Sequence, residues 1–169
     1  DDYLSVNSYS SAVLSGGEGS DNLSTSQVTN QTLRGGSGAD TIRAHVYTRN
    51  KNSYDASIRL PYSILLDGGI GDDTLKVDGG SYFGRPSTST GQIKITVNGG
   101  DGSDEIDIAY EDQYGSTSGH GFTDVVIDAG SGDDTIRASH VLQSSIATGA
   151  GSDTVQLTAE QYKTIIAGT

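Results

Sequence analysis

The sequence GGIGDDTLKV at residues 68–77 contains the pattern that decides the fold. It reads Gly-Gly-x-Gly-x-Asp, and an aliphatic residue, Leu75, follows two positions after the last Asp. The same order returns in five further segments, which begin at residues 16, 35, 99, 129 and 148, with Ala129 and Thr148 in place of the first Gly. A fixed internal order in six copies predicts a repeat architecture in which each copy belongs to one structural unit.

Apolar and polar residues alternate on both sides of every copy. The aliphatic positions before the copies are Leu14, Leu33, Leu66, Val97, Ile127 and Ile146. The alternating positions after them are Leu23 and Thr25, Ile42 and Ala44, Leu75 and Val77, Ile106 and Ile108, Ile136 and Ala138, and Val155 and Leu157. A period of two residues predicts β-strands with one face in the core. Each unit is therefore a strand, a Gly-rich turn and a second strand.

Successive copies begin 19, 33, 31, 30 and 19 residues apart. A spacing of 19 fits one coil of an all-β, right-handed parallel β-solenoid with one Gly-rich turn per coil, whose strands stack about 4.8 Å apart. The wider spacings predict longer bulges in the middle coils, on the side away from the Gly-rich turns. Apolar residues five positions after the first aliphatic, Val28 and Val141, with Tyr9 at the equivalent place, are predicted to fill the opposite corner. Residues 1–169 are predicted to form a single domain.

The composition excludes several classes of protein. The chain has 24 Gly, no Cys and a formal net charge of −12. Disulfides and zinc–thiolate sites are excluded, and so acidic a chain is repelled by nucleic acid and by anionic membranes. Since no run of about 18 apolar residues occurs, no membrane insertion is expected.

The Gly-rich turns have the chemistry of a calcium site. Ca²⁺ takes 6–8 oxygen ligands from carboxylates and backbone carbonyls. Glycine lets carbonyls point inward at backbone angles that other residues avoid, and the Asp supplies negative charge. Because two stacked turns double the number of ligands, the ion is expected between coils. An EF-hand or a dinucleotide site is not indicated, because no flanking helix is predicted.

The pattern resembles the nonapeptide G-G-x-G-x-D-x-U-x of RTX (repeats-in-toxin) proteins, and the resemblance extends over residues 16–157. It implies carboxylate ligands in every copy and in a partial motif at the start: Asp2, Asp21, Asp40, Asp73, Asp104, Asp134 and Asp153. It also implies that the first four carbonyls of each copy serve alternately the two neighbouring ions: Gly16, Gly17, Glu18, Gly19, Gly35, Gly36, Ser37, Gly38, Gly68, Gly69, Ile70, Gly71, Gly99, Gly100, Asp101, Gly102, Ala129, Gly130, Ser131, Gly132, Thr148, Gly149, Ala150 and Gly151.

Six turns would share about five Ca²⁺ ions, whose charge nearly offsets the net charge of −12. RTX repeats usually run in tandem and place ions on both edges, whereas one copy per coil predicts a single row of ions here. Thr148 in place of Gly predicts weaker binding at the last turn.

Both ends of the sequence contain partial motifs. Residues 1–6 align with residues 72–77, and residues 166–169 align with residues 146–149. Two readings stay open: a segment of a longer RTX chain, or a subunit that stacks head to tail, with further ions at the junctions, into a filament. The spacing of residues 158–161 also predicts one helical turn near Tyr162.

No catalytic motif of the type G-x-S-x-G or H-E-x-x-H occurs, and we expect no enzyme. The histidines are His45, His120 and His140, and the alternation places His140 outward. Seven of the ten basic residues lie between residues 43 and 94, with Tyr and Phe among them. They either cover the apolar flank of the wide coils or bind an anionic polysaccharide. Thr residues are scattered along the sequence, which does not favour an ice-binding face.

The RTX resemblance implies an extracellular bacterial protein that leaves the cell unfolded by type I secretion and folds in external calcium. The predicted function is structural, as a filament subunit or as a stalk of a matrix, surface-layer or adhesin assembly. The alternatives are a calcium-folded module of a larger secreted enzyme or toxin, and a glycan- or ice-binding adhesin module.

Overall fold

The computed structural model describes residues 1–7, 11–26, 30–48, 62–81, 93–110, 122–142, 144–158 and 165–168. Within these ranges the chain forms sixteen β-strands joined by turns, and no helix is present. No helix of the described part is therefore long and apolar enough to cross a membrane. The predicted all-β class is confirmed.

The strands form two seven-stranded sheets and one small sheet. Sheet 1 holds the strands that follow the Gly-rich turns: β1 (Tyr3–Asn7), β3 (Asn22–Ser26), β5 (Thr41–Thr48), β7 (Thr74–Ser81), β9 (Glu105–Tyr110), β12 (Thr135–Ser139) and β15 (Thr154–Thr158). Sheet 2 holds the strands that precede them: β2 (Ala12–Glu18), β4 (Asn30–Ser37), β6 (Tyr62–Ile70), β8 (Ile93–Asp101), β11 (Val125–Ser131), β14 (Ser145–Gly149) and β16 (Ile165–Gly168). The small sheet pairs β10 (Phe122–Thr123) with β13 (Val141–Leu142).

Every described strand pairs in parallel with a strand of a neighbouring coil. In sheet 2, Leu33 lies opposite Leu14 on one side and opposite Leu66 on the other. In sheet 1, Leu4 lies opposite Leu23, as the partial motif at the start predicts. The coil lengths are thus those of the motif spacing, which confirms the parallel β-solenoid. Its right-handedness stays a prediction.

The core is built from columns of inward side chains. One column of sheet 1 places Leu23, Ile42, Leu75, Ile106 and Ile136 in register, and all five are fully buried. The ends of this column, Leu4 and Val155, are half-buried because a neighbouring coil covers one side of each. The facing column of sheet 2, from Leu33 to Ile146, is equally buried, so both predicted ladders are confirmed.

The corner opposite the Gly-rich turns is described for one stretch of the chain. Val141 lies opposite Phe122 there, and each is 1% exposed. The ring of Phe122 contacts Tyr110 edge-on, with ring centroids 5.5 Å apart. Val141 therefore fills the corner as predicted.

His140 differs from the prediction. It is half-buried, and its ring lies 6.5 Å from the ring of Tyr110. Its φ of 52° places it in the left-handed region. Strict alternation fails at this residue because the backbone turns there between β12 and β13.

The extra residues of the wide coils fall in sequence between β5 and β6, between β7 and β8, and between β9 and β10. They lie outside the described residues, so the predicted side of the bulges stays a prediction. Several other predicted features lie outside the described residues: Tyr9, Val28, the helical turn near Tyr162, and most of the aromatic and basic residues of the bulges.

We expect Ile106→Ala to lower the free energy of unfolding by about 2–5 kcal/mol, because it empties a fully buried site in the middle of the column. Urea denaturation at saturating calcium measures this change. Val126→Ala is the matched control, since Val126 is 38% exposed on the outer face of sheet 2. Equal losses in the two variants would contradict the assignment of the core.

Candidate metal centre

The Gly-rich turns stack directly on one another along one edge of the solenoid. The glycines at the second motif position lie opposite each other from coil to coil: Gly17 is paired with Gly36, and Gly36 with Gly69. Gly36 has a φ of 121° and an added Cβ would lie 2.1 Å from Gly17 O, so no larger residue fits this place. The close stacking brings the oxygens of neighbouring turns together.

The sixth-position aspartates form a continuous ladder. The backbone N–H of each Asp donates to Oδ1 of the equivalent Asp one coil later, at 2.7 Å from Asp21 to Asp40 and at 2.8 Å for the next three steps. The last step, from Asp134 to Asp153, is 3.1 Å. All the predicted carboxylates from Asp21 to Asp153 therefore lie in one row.

The second oxygen of each buried carboxylate in this row lacks a hydrogen-bond donor. Among the described residues these atoms are Oδ2 of Asp21, Asp40, Asp73, Asp104 and Asp134. Their residues are 1–3% exposed, whereas Asp2 is exposed and Asp153 is half-buried. An ionised buried oxygen without a partner is strongly unfavourable, so the row requires a cation or protons.

In the second, third and fourth turns, Oδ2 of the Asp and a carbonyl oxygen of the next coil lie beside the same first-position glycine. A Cβ added to Gly35 would lie 2.2 Å from Asp40 Oδ2 and 2.6 Å from Gly68 O. The same pairing recurs one coil later, where a Cβ on Gly68 would lie 2.4 Å from Asp73 Oδ2. Two oxygens that converge without a proton between them fit a hard cation such as Ca²⁺.

The first- and second-position carbonyls point in opposite directions along the stack. Gly68 O points back toward Gly35, whereas Gly17 O points forward toward Gly36. This agrees with carbonyls that alternate between two neighbouring sites.

The third-position carbonyls have a further role that the sequence did not predict. They accept hydrogen bonds of 2.7–2.8 Å from the fourth-position N–H groups of the preceding turn: Ser37, Ile70, Asp101, Ser131 and Ala150. A carbonyl oxygen has two lone pairs, so one remains for a cation, and their role as ligands stays a prediction.

No three Asp, Glu, His or Cys side chains cluster as a metal site in the described part of the chain. Adjacent coils bring two carboxylates together at most. The remaining ligands of a calcium ion would therefore be backbone carbonyls, as the Gly-rich turns predict.

Burial raises the pKa of these aspartates. Desolvation is the largest cause and raises the pKa of Asp73 to about 6 and that of Asp104 to about 7. The backbone hydrogen bond from the preceding Asp lowers the pKa of each, and neighbouring carboxylates raise it. The pKa values of Asp40 and Asp134 are also raised, mainly by burial.

The charged residues on the outer face of sheet 1 pair between coils, which the sequence analysis missed. Arg43 Nε donates to Asp78 Oδ2 at 2.9 Å, and His45 contacts the other oxygen of this buried carboxylate. Lys76 pairs with Asp107 at 3.0 Å. The motif spacing could have revealed the pair of Lys76 with Asp107, because it already places these two residues in one column.

Residues 29–45 and 121–139 match the family model described as the RTX calcium-binding nonapeptide repeat. The matched ranges include the second and fifth Gly-rich turns and the strands around them. No curated protein and no solved structure matches the chain.

We expect Asp73→Asn to raise the calcium concentration at half-folding by about tenfold or more, since the loss of even a supporting partner costs metal sites 10–100-fold in affinity. Circular dichroism during a calcium titration measures the midpoint. Asp72→Asn is the matched control: it removes the same charge from the exposed neighbouring residue. Equal shifts would indicate that net charge, rather than the buried row, controls folding.

Without calcium, we expect the fold to become more stable as the pH is lowered from about 8 to about 5. The raised pKa values, about 6 and about 7, exceed the ordinary 3.8, so the folded state binds more protons. This contribution is complete below pH 3.8 and is lost as the pH rises through 6 and 7. Circular dichroism in EGTA measures it, and Asp73→Asn combined with Asp104→Asn should flatten the curve. An unchanged slope in this double variant would place the protons elsewhere.

Proposed function

Since the chain belongs to the RTX calcium-binding repeat family, we propose that it is a secreted structural module that folds on binding calcium and stacks end to end with further coils. The row of buried carboxylate oxygens without donors carries this proposal. RTX repeats are typical of secreted bacterial proteins, which supports an extracellular bacterial location for the chain. The module would be a filament subunit or a stalk of a matrix, surface-layer or adhesin assembly.

Calcium binding and folding are one process in this proposal. The ligands come from different coils, so the site does not exist in the unfolded chain, and the free energy of binding contributes to folding. With a net charge of −12 and 33% hydrophobic residues, the ion-free chain has strong self-repulsion and a thin core. About five ions would offset most of that charge.

Each residue type of the turn has a separate task. Asp40 Oδ1 accepts the amide of Asp21 and fixes the distance between two coils, while its Oδ2 is left for the cation. The first-position glycine keeps this oxygen and the carbonyl of the next coil free of any side chain. When bound, calcium would supply the positive charge that compensates these two oxygens.

Both ends of the described solenoid support stacking. At one end β1 and β2 each pair on a single side, and Leu4 and Leu14 are half-buried. At the other end β15 is the last strand of sheet 1, with Val155 and Leu157 half-buried. Open strand edges with apolar neighbours favour the addition of another coil, from the same chain or from a second copy.

The outer faces support a structural role better than ligand binding or catalysis. Arg43 and Lys76, predicted either to cover a flank or to bind polysaccharide, pair with carboxylates of neighbouring coils. Asp78, the carboxylate beside His45, is shared with Arg43. The threonines align better than the sequence indicated, but Glu105 interrupts their column between Thr74 and Thr135. We therefore assign no enzyme activity and no ice-binding face.

Negative-stain electron microscopy and sedimentation, in millimolar calcium and in excess EGTA, test the proposal. We expect rods or filaments in calcium that are lost in EGTA. Leu4→Lys should abolish end-to-end assembly without preventing folding, because it charges an open end, and Ser5→Lys on the outer face should not.

Folded single particles in calcium would assign the stacking partner to further coils of a longer chain. Circular dichroism that is the same in calcium and EGTA would overturn the proposal.

A further inference from the structure

The first position of the motif changes along the solenoid. It is Gly in the first four turns, Ala129 in the fifth and Thr148 in the sixth. Asp128 pairs with Asn98 on one side and with Ala147 on the other, so residues 99, 129 and 148 occupy equivalent places. Ala129 and Thr148 are both buried. The side chain at this place thus grows toward the C-terminal end.

This place lies against the oxygens of the metal centre. In the first four turns, a Cβ at the first position would lie 2.2–2.4 Å from Oδ2 of the Asp in the same turn. Real Cβ atoms do not approach an oxygen so closely, so a side chain there requires the carboxylate or the turn to shift.

The sixth turn shows such a shift. Gly149 has a φ of 82°, against 106–121° for the second glycine of the other five turns. The pairing of β14 with β16 has a register irregularity between Ala147 and Gly149. Asp153 accepts the ladder hydrogen bond at 3.1 Å rather than 2.7–2.8 Å and is half-buried. The turn that carries the largest first-position side chain therefore departs from the others in backbone angle, pairing and burial.

We propose that Thr148 sets a gradient of calcium affinity, so that the C-terminal turn orders at a higher calcium concentration than the rest of the solenoid. This rests on the proposed calcium-dependent folding. The consequence is a window of calcium concentration in which the body is folded while its C-terminal end is not yet ready to receive the next coil. Folding and assembly at that end would then respond to different calcium concentrations.

Hydrogen exchange read by mass spectrometry over a calcium series measures each coil separately. We compare residues 144–158 with residues 11–26, since both lie at an end of the described solenoid but the second range has Gly16 at the first position. Fraying alone would affect both ends alike. We expect half-protection of residues 144–158 at about tenfold higher calcium, the lower limit for a disturbed metal site.

Variants at the first position separate the side chain from the end effect. Thr148→Gly should lower the midpoint of residues 144–158 toward that of residues 11–26, and Thr148→Ala should lie between them. Ala147→Gly adds the same backbone freedom one residue away and should not lower the midpoint.

Equal midpoints for the two ends of the unchanged protein would overturn the gradient. The gradient would also be overturned if Thr148→Gly left the midpoint of residues 144–158 unchanged. It would be overturned too if Ala147→Gly lowered that midpoint as much as Thr148→Gly does. If no segment gains protection with calcium, the proposed calcium-dependent folding fails as well, and the two failures are thus distinguishable.

Discussion

The solenoid depends on the carboxylate oxygen that five of the six Gly-rich turns bury without a proton donor. One oxygen of each Asp accepts a hydrogen bond from the preceding coil, and the other, in Asp40, Asp73 and Asp104, lies near a carbonyl of the following coil. This arrangement explains three properties of the sequence together: the acidic charge, the glycine at the first motif position, and the absence of alternatives to Asp at the sixth. A longer Glu side chain would not place one oxygen on the neighbouring amide and the other between the turns.

The core and the metal row affect the stability of the solenoid in different ways. Inward columns such as that of Ile42 and Leu75 bury apolar surface against the coils on either side, and the row supplies the negative charge that must be compensated. Since each coil contacts mainly its neighbours, stability is a sum of local terms along the axis. Leu4 and Val155 are only half-buried, so the end coils gain less stabilisation from their neighbours.

The register of the solenoid could be predicted because the motif spacing equals the coil length. Once Asp40 is aligned with Asp73, every inward position follows from a period of two. The division of labour between the two oxygens of one carboxylate could not be predicted, because it depends on a side-chain rotamer. The pair of Arg43 with Asp78 was missed because it joins residues 35 positions apart in different columns. At His140 the alternation ends where the backbone turns into the corner.

The ladder of aspartates also gives the solenoid a direction. In every step the earlier coil donates its amide and the later coil accepts with its carboxylate, so the two ends of the stack are chemically different. The fifth-position carboxylates Asp1, Asp72 and Asp133 accept in the opposite sense, from the amides of Ser20, Ser103 and Ser152 one coil later. A unit that continued both ladders would therefore enter the stack in the same orientation.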